Sequence, residues 1–395
     1  PNSILLIAGK GHETTQTYGN KIDNVSDKKI VKNINEKKIR FNKKNYNKIF
    51  NAEIIKELVK KDKLRFEGVS INSKQIKKGN LFVAIKGKNH DGHIFAKEAL
   101  KNKANYCVVQ KNINKLDKSK LIQRPNTIDF LNELAVLKRN QINIKVIAVT
   151  GSSGKTTLKT LVGKTLNVYG KTYFSKKSHN NHIGVPLSLC NLESDHNFGV
   201  FEIGMSHSGE IRRLSSLVKP DIAIITNIGE AHMENFNNLH GIAKAKSEII
   251  ENIKEDGYLI LNRDDKYFNY FSKLATKKKI KVLSFGLSGK ANAKLIKNKL
   301  YKDYNDLHFK ILDKNIHLKV KNINPLIVSN LLATLLTLRI LDLDLSKIVN
   351  FLDHFQLVEG RGKMHRISRY KKKFQLIDES YNANPSSVKN AINNF

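Results

Sequence analysis

At 395 residues the chain has room for two or three domains, each able to bury its own core, and one compact fold is not expected. Its 70 Lys and Arg against 35 Asp and Glu give a formal charge of +35, which suits either a polyanion such as nucleic acid or a solvated exterior that attracts small anionic substrates. The lysines lie in short clusters among Asn and Ile, with no RNA-binding aromatic signature or basic recognition helix, which favours the second reading; Cys107 and Cys190 sit in apolar stretches and exclude a disulfide framework or a four-ligand zinc site. The chain runs at once from Pro1 into "SILLIAG", an apolar run before glycines that predicts a buried strand already inside a domain, as in a fragment. In "SDKKIVKNI", Ser26 caps helically spaced Ile30, Val31 and Ile34, and the polar stretch 36–48 reads as a linker. From 49 to 140 the pattern is a small α/β domain, with strand-like runs in "GVSINSKQIKKGNLFVAIKG", a helix "HIFAKEALKNKA" and a strand "YCVVQ".

From Ile144 the alternation becomes regular. Strand "KVIAVTG", helix "KTTLKTLVGKTLNVYG", strand "GVFEIG", helix "GEIRRLSSLV", strand "DIAIITNIG", helix "GIAKAKSEIIENI" and strand "GYLILN" predict a mainly parallel sheet with ligands at its carboxyl ends. "LHFKIL" and "IHLKVK" read as a hairpin attached to it. The apolar run from Leu326 to Leu345 is broken by Ser329, Asn330, Thr334, Thr337, Arg339 and two aspartates, so it predicts a buried helix and not a membrane span. This central domain is expected over 141–357, and "FQLIDESYNANPSSVKNAINNF" starts a third α/β domain, 358–395, expected to be cut within its first unit.

Two stretches share glycines, a lysine and threonines: "AGKGHETT" at 8–15 and "TGSSGKTT" at 150–157. In the second, Gly151, Ser152, Ser153 and Gly154 form a turn whose bare amides can approach phosphate oxygens, and Lys155, Thr156 and Thr157 open a helix with its positive end towards the anion. Lys155 would then sit on the β and γ phosphates and the Thr156 hydroxyl on Mg²⁺. The spacing departs from G-x-x-x-x-G-K-[ST], since position 149 is Val. The first stretch has no helical period behind it and reads as a solvated turn, with His12 and Glu13 as ligand contacts the alternative. Glu202 ends one strand and His232 follows the next; parallel strand ends share one crevice, so both could reach an ion held at the phosphates. Lys244 and Lys246 lie on an amphipathic helix, and composition alone gives neither a special role. Asn262 follows a strand, and Asn330 is an amide among leucines that needs either an adenine edge or an ordinary core hydrogen bond.

Taken in order, "VTGSSGKTT", "NNHIGVPLSL", "FEIGMSHSGEI", "KPDIAIITNIGEAHMENF", "GIAKAKSEI", "LNRDD" and "DESYNANP" resemble the Mur ligases of peptidoglycan synthesis over residues 50–395. Among these the resemblance is to the branch that adds D-alanyl-D-alanine to UDP-N-acetylmuramoyl-tripeptide. "INSKQIKKGNLFVAIKG" and "HDGHIF" resemble the family's UDP-sugar-binding module, which a folate-type amide ligase lacks. The resemblance implies an α/β three-domain architecture: a small amino-terminal α/β domain, a central P-loop domain with a mainly parallel sheet, and a truncated Rossmann-like carboxyl-terminal domain. It implies ATP-driven amide formation through an acyl phosphate, with ATP and Mg²⁺, in the cytoplasm, by a monomer that neither binds nucleic acid nor enters a membrane. Lys155, Glu202, His232 and Lys246 take the catalytic roles, with Thr156 and Glu202 on a first Mg²⁺, His232 on a second, and Lys246 where some members carry a carbamylated lysine. Asn262, Asn330, Arg361, Asp378, Tyr381 and Asn382 join the loop as nucleotide contacts, and Ser73, Asn181 and His207 fall in the muramyl-substrate region. Two departures stand out: "INSK" replaces the usual Asp, Ser or Thr, then Arg, and "NINP" replaces a frequent His-Asn before Asn330. "ILLIAGKGHETTQ" with "NVSDKKIV" resembles the carboxyl end of the ligase that adds the third stem amino acid, so 1–35 is expected to be the tail of such an enzyme. A third-residue ligase, or a chain with both activities, is the nearest rival.

Overall fold

The computed structural model describes residues 3–8, 16–18, 21–23, 388, 392 and 65–381, the last without 88, 288, 302–303, 321–325, 354, 356–358 and 370–371. Strand β1 (Ser3–Ala8) and the short antiparallel pair β2 (Gln16–Tyr18) and β3 (Lys21–Asp23) come first. A four-stranded parallel sheet follows, built in spatial order from β4 (Val69–Ser70), β5 (Leu81–Val83), β6 (Tyr106–Val109) and β7 (Leu121–Gln123). Helix α1 (Ala96–Lys101) crosses between β5 and β6, entered through a 3-10 turn that the Asp91 side chain caps. A parallel sheet is covered on both faces, and Leu81, Phe82, Val83, Cys107, Val108 and Val109 are accordingly all buried. Phe82 and Cys107 pack on Ala96 and Ala99 of α1, while Val83 and Val108 pack towards Phe130, Leu131 and Leu134 of α2 (Thr127–Gln141). Asn126 starts that helix by accepting from the Ile128 and Asp129 amides.

The central body alternates β8 (Lys145–Thr150), α3 (Lys155–Leu166), β9 (Thr172–Phe174), α4 (Gly184–Cys190), β10 (Phe198–Glu202), α5 (Glu210–Val218) and β11 (Ile222–Ile225). It continues through α6 (Leu239–Ser247), β12 (Tyr258–Asn262), α7 (Phe268–Lys277), β13 (Lys281–Gly286), β14 (Ala293–Leu300), β15 (Asn305–Ile311), β16 (Lys314–Val320) and α8 (Leu326–Ile340). The nine strands order as β16-β15-β14-β13-β12-β11-β8-β10-β9, with β14 to β16 antiparallel and the remaining neighbours parallel. The alternating strands and helices, and the β15–β16 hairpin, stand where the sequence pattern placed them. β14 did not show in that pattern: its lysine-rich run "AKLIKNKL" is bulged between Leu295 and Lys297 and is a strand because β15 pairs with it. α8 is a 15-residue core helix, its Leu331, Leu332, Leu335 and Leu336 buried with Val149, Leu158 and Ile224. Each such leucine contributes about 1.5–3 kcal/mol by leaving water. Among the described residues no helix is long and apolar enough to cross a membrane.

After α9 (Ile348–Asp353), β17 (Lys363–Arg369) and β18 (Lys372–Glu379) form an antiparallel pair, and β1 joins β18 in parallel from Ser3 beside Phe374 to Ala8 beside Glu379. The glycine stretch that begins after Ala8, with His12 and Glu13, lies outside the described residues, as does the predicted helix after Ser26.

Candidate active site

The parallel register brings several strand ends to one edge. Glu202 lies level with Val149, and Ile225 with both Thr150 and Leu261, so the loops after β8, β10, β11 and β12 open into one crevice. The first of these is the glycine loop. Gly151 has φ 143, and a Cβ there would stand 1.9 Å from Thr226 Oγ1, so the loop can pass this close to β11 only without a side chain. Gly154 caps α3 in the left-handed region at φ 78.

Inside the loop, the Ser152 and Ser153 amides donate to the Asn227 carbonyl at 2.9 Å and to Asn227 Oδ1 at 3.0 Å, and Thr226 Oγ1 donates to the Ser153 carbonyl at 2.6 Å. These bonds fix the loop's shape from the β11 side. The amides of Lys155, Thr156 and Thr157 precede the first helical bond, Leu158 N–H to the Gly154 carbonyl, and so face the crevice as unspent donors. Lys155 curls back, its Nζ donating to the Gly151 and Ser152 carbonyls at 2.8 and 3.1 Å. Burial lowers its pKa, opposed by Glu202 and reinforced by Arg361.

Glu202 is 1% exposed and fully engaged: Thr156 Oγ1 donates to Oε2 at 2.7 Å and Asn180 Nδ2 to Oε1 at 2.8 Å. Ser178 Oγ lies 3.3 Å from Thr156 Oγ1 and also receives Tyr381 O–H at 2.7 Å and an Arg361 N–H at 3.2 Å. The Arg361 guanidinium lies 3.9 Å over the Tyr381 ring, and its buried Nε has no partner among the described residues, an orphan donor that an anion would satisfy. Asp378 accepts from the Gly360 amide at 2.8 Å and from the Ser380 amide at 3.1 Å, which sets the backbone on either side of Arg361 and Tyr381.

On the opposite side, Lys246 is 2% exposed on α6, and among the described residues no hydrogen bond or ion pair reaches its amine. Burial, then Lys155, holds its pKa well below the ordinary lysine value. His232, in the left-handed region at φ 61, has its pKa lowered by burial and then by Lys246 and Lys155. Lys155 thus lies near enough to lower the pKa of both Lys246 and His232, while Glu202 opposes burial at Lys155 and Glu234 lies 3.6 Å from His232.

The remaining predicted residues divide. Asn330 Oδ1 is 3.7 Å from where a Cβ on Gly154 would stand, which puts this amide at the loop. Asn262 Oδ1 accepts from the Asp264 amide at 3.0 Å at the end of β12. Ser73 donates to Glu98 of α1 at 2.6 Å, Asn181 Oδ1 caps the start of α4 through the Gly184 amide at 2.9 Å, and His207 is exposed beside Glu210 at 3.7 Å. Asn382 lies outside the described residues. Sequence reasoning passed over Ser178, Asn180, Asn227 and Lys159; of the adjacent asparagines in "NNHIG" it chose Asn181, whereas Asn180 is the one bonded to Glu202. Only strand order, which brings the loop after β9 beside β10, distinguishes them.

Two other acid and histidine groups lie away from the crevice. In the group Glu193, Asp195 and His196, the Lys171 ammonium holds both carboxylates, 2.7 Å from Glu193, and the Glu193 amide donates to His196 Nδ1. Asp306, His308 and His317 converge on the outer face of the hairpin, but Lys297, Lys299 and Lys319 stand in register beside them and oppose a divalent cation.

A family profile described as "Mur ligase middle domain" matches residues 149–338, and one described as "Mur ligase family, catalytic domain" matches 65–147. The UDP-N-acetylmuramoyl-tripeptide--D-alanyl-D-alanine ligase of Rickettsia prowazekii (strain Madrid E) is 35% identical over 82% of this chain and 71% of its own length. That of Buchnera aphidicola subsp. Acyrthosiphon pisum is 34% identical over 82% and 70%. Among solved structures, MurF from Acinetobacter baumannii superimposes with a TM-score of 0.76 at 28% identity, covering 88% of this chain and 76% of its own. The MurF ligase from Thermotoga maritima in complex with ADP gives 0.70 at 29% identity, covering 82% and 74%.

Proposed function

We infer, from the premise that this chain belongs to the Mur ligase family, an ATP-dependent amide ligase that adds D-alanyl-D-alanine to UDP-N-acetylmuramoyl-tripeptide in peptidoglycan precursor synthesis. The choice of substrates rests on the relatives. The phosphoryl-transfer chemistry is supported by one observation above all, the buried Thr156–Glu202 pair at the mouth of a glycine loop whose lysine, Lys155, is held ready on the loop's own carbonyls.

ATP would lie with its phosphates on the first-turn amides of α3, and Lys155 would leave the Gly151 and Ser152 carbonyls to meet the β and γ oxygens. The tripeptide's terminal carboxylate attacks the γ-phosphorus, ADP leaves, and an acyl phosphate remains. The amine of D-alanyl-D-alanine then attacks the acyl carbon, phosphate departs, and the amine's extra proton must be removed as the amide forms. Both early reactants are anions, so Lys155 and Arg361 act by placing fixed positive charge where oxygen approaches phosphorus. Tyr381 and Arg361, docked on Ser178, would exclude the water that hydrolyses an acyl phosphate.

Thr156 and Glu202 offer only hard oxygen donors, already converging at 2.7 Å, a set that fits Mg²⁺, with His232 available to a second ion. Such an ion supplies charge neutralisation between the phosphates and the incoming carboxylate. Lys246, whose pKa burial holds well below the ordinary lysine value, is suited to add CO₂, forming an N–C bond with loss of a proton; the carbamate would place an anion near Lys155 and His232. Asn262 and Asn330 are assigned to the nucleotide, and Ser73, Asn181 and His207 to the muramyl substrate. Residues 1–35, with their G-K-G-H-E run, are assigned to the tail of a third-residue ligase, and the protein is taken to act as a cytoplasmic monomer.

A tripeptide carrying heavy oxygen in its terminal carboxylate tests the route. Transfer of one labelled oxygen into the released phosphate is expected; unlabelled phosphate alongside amide product would exclude an acyl phosphate.

A further inference from the structure

The loop between β9 and α4 brings Ser178 and Asn180 into the crevice, and it is held from beneath. Lys159, one turn beyond Lys155 on α3, is 1% exposed and donates from Nζ to the Ser175 carbonyl at 2.6 Å and the Lys177 carbonyl at 2.9 Å. Lys177 takes φ 48, a left-handed conformation that costs a non-glycine residue about 1 kcal/mol, and the bond to its carbonyl offsets that cost. The pinned carbonyls bracket Ser178 on its amino-terminal side. Its hydroxyl can accept two hydrogen bonds and donate one. Tyr381 O–H and the Arg361 N–H fill the acceptor positions, which leaves the Ser178 proton for Thr156 Oγ1, whose own proton goes to Glu202. A directed chain therefore runs from the β17–β18 unit to the buried carboxylate, and its middle member stands where Lys159 puts it.

We propose that Lys159 is a positioning residue for the ligase reaction: by pinning the Ser175 and Lys177 carbonyls it holds Ser178 where Tyr381 and Arg361 dock, so that docking and alignment of the Thr156–Glu202 pair occur together. The proposal rests on the ligase reading for its assay. Lys159 does not touch phosphate or substrate; it acts through the loop.

The test uses the whole chain, with ligation kinetics and equilibrium ATP binding measured side by side. Lys159→Met is expected to lower kcat about 10- to 100-fold, the usual cost of losing a group that orients a ligating residue. Its ATP affinity stays near wild type, because the glycine loop is untouched. Ser178→Ala lowers kcat about 10-fold, Ser178→Thr restores most of it, and the double variant with Lys159→Met loses less than the product of the two single losses. Should Lys159→Met fail to fold, Lys159→Gln, which keeps a donor on a shorter side chain, takes its place in the cycle with Ser178→Ala, and there too the losses should not multiply. Wild-type kcat in Lys159→Met, equal losses in kcat and ATP affinity, or independent multiplicative losses would overturn the positioning role. A wild-type protein that binds ATP and does not ligate overturns the ligase reading, and this proposal with it.

Discussion

Two buried lysines, Lys159 on α3 and Lys246 on α6, differ in their surroundings. Lys159, on the α3 side, spends its amine on two backbone carbonyls, while Lys246, on the α6 side, is as deeply buried with no partner among the described residues. Burial lowers the pKa of both, to about 8 for Lys159 and well below the ordinary value for Lys246. A lysine with carbonyl partners is a structural tie; a lysine without one costs stability and is retained for its chemistry. On the proposed reading the two lysines divide the work, Lys159 holding geometry and Lys246 supplying a reactive group.

The division can be broken by substitution. The largest effect is expected for Glu202→Ala, which removes the acceptor of the Thr156 and Asn180 bonds: kcat should fall about 100- to 1,000-fold, with a raised requirement for Mg²⁺ in the same assay. Lys246→Met should lower kcat about 100-fold and yet stabilise the fold by about 1 kcal/mol or more, read by denaturant titration, because an unpaired buried amine is replaced by an apolar chain of similar length. Lys159→Met should destabilise by about 1–3 kcal/mol, since two carbonyls lose their donor. Opposite signs in stability confirm the contrast, and like signs would remove it.

Titration sharpens it further. The folded-state pKa of Lys159, about 8, lies below its ordinary value of 10.5. Between those values the unfolded chain holds the proton and the folded one does not, so stability should rise with pH over that window, and Lys159→Met should flatten the rise. The smallest effect concerns Glu379, whose pKa burial raises from 4.5 to about 7, against Arg361. Here the folded state binds the extra proton, so stability should fall as pH rises from 4.5 to 7, and Glu379→Gln should remove that fall, on the order of 1 kcal/mol after screening.

The parts of the fold that could be read from sequence were those written in local patterns. "KVIAVTG" before "SSGKTT" announces strand, turn and helix by itself, and the α/β alternation from Ile144 to Asn262, apart from β9 and α4, follows from period and spacing. β14 was not readable, because its lysines suit a loop and pairing with β15 along its length and with β13 at its start makes it a strand. The same limit governs the site. Gly151, Lys155, Thr156 and Glu202 stand at strand ends and could be placed from topology, whereas Ser178, Asn180 and Lys159 act through contacts across α3, β9 and β10. Asp378 shows a second limit: the sequence marks it as polar at an element end, but both its oxygens are bonded to neighbouring backbone amides, which sets the backbone beside Arg361 and Tyr381.

The central claim is that this crevice couples ATP cleavage to joining an amine to a carboxylate. Phosphate release from ATP, measured with UDP-N-acetylmuramoyl-tripeptide in the presence and absence of D-alanyl-D-alanine, tests it most directly. Release that requires both substrates and falls about 1,000-fold in Lys155→Ala is the predicted result. Release indifferent to D-alanyl-D-alanine, or retained in Lys155→Ala, would contradict it.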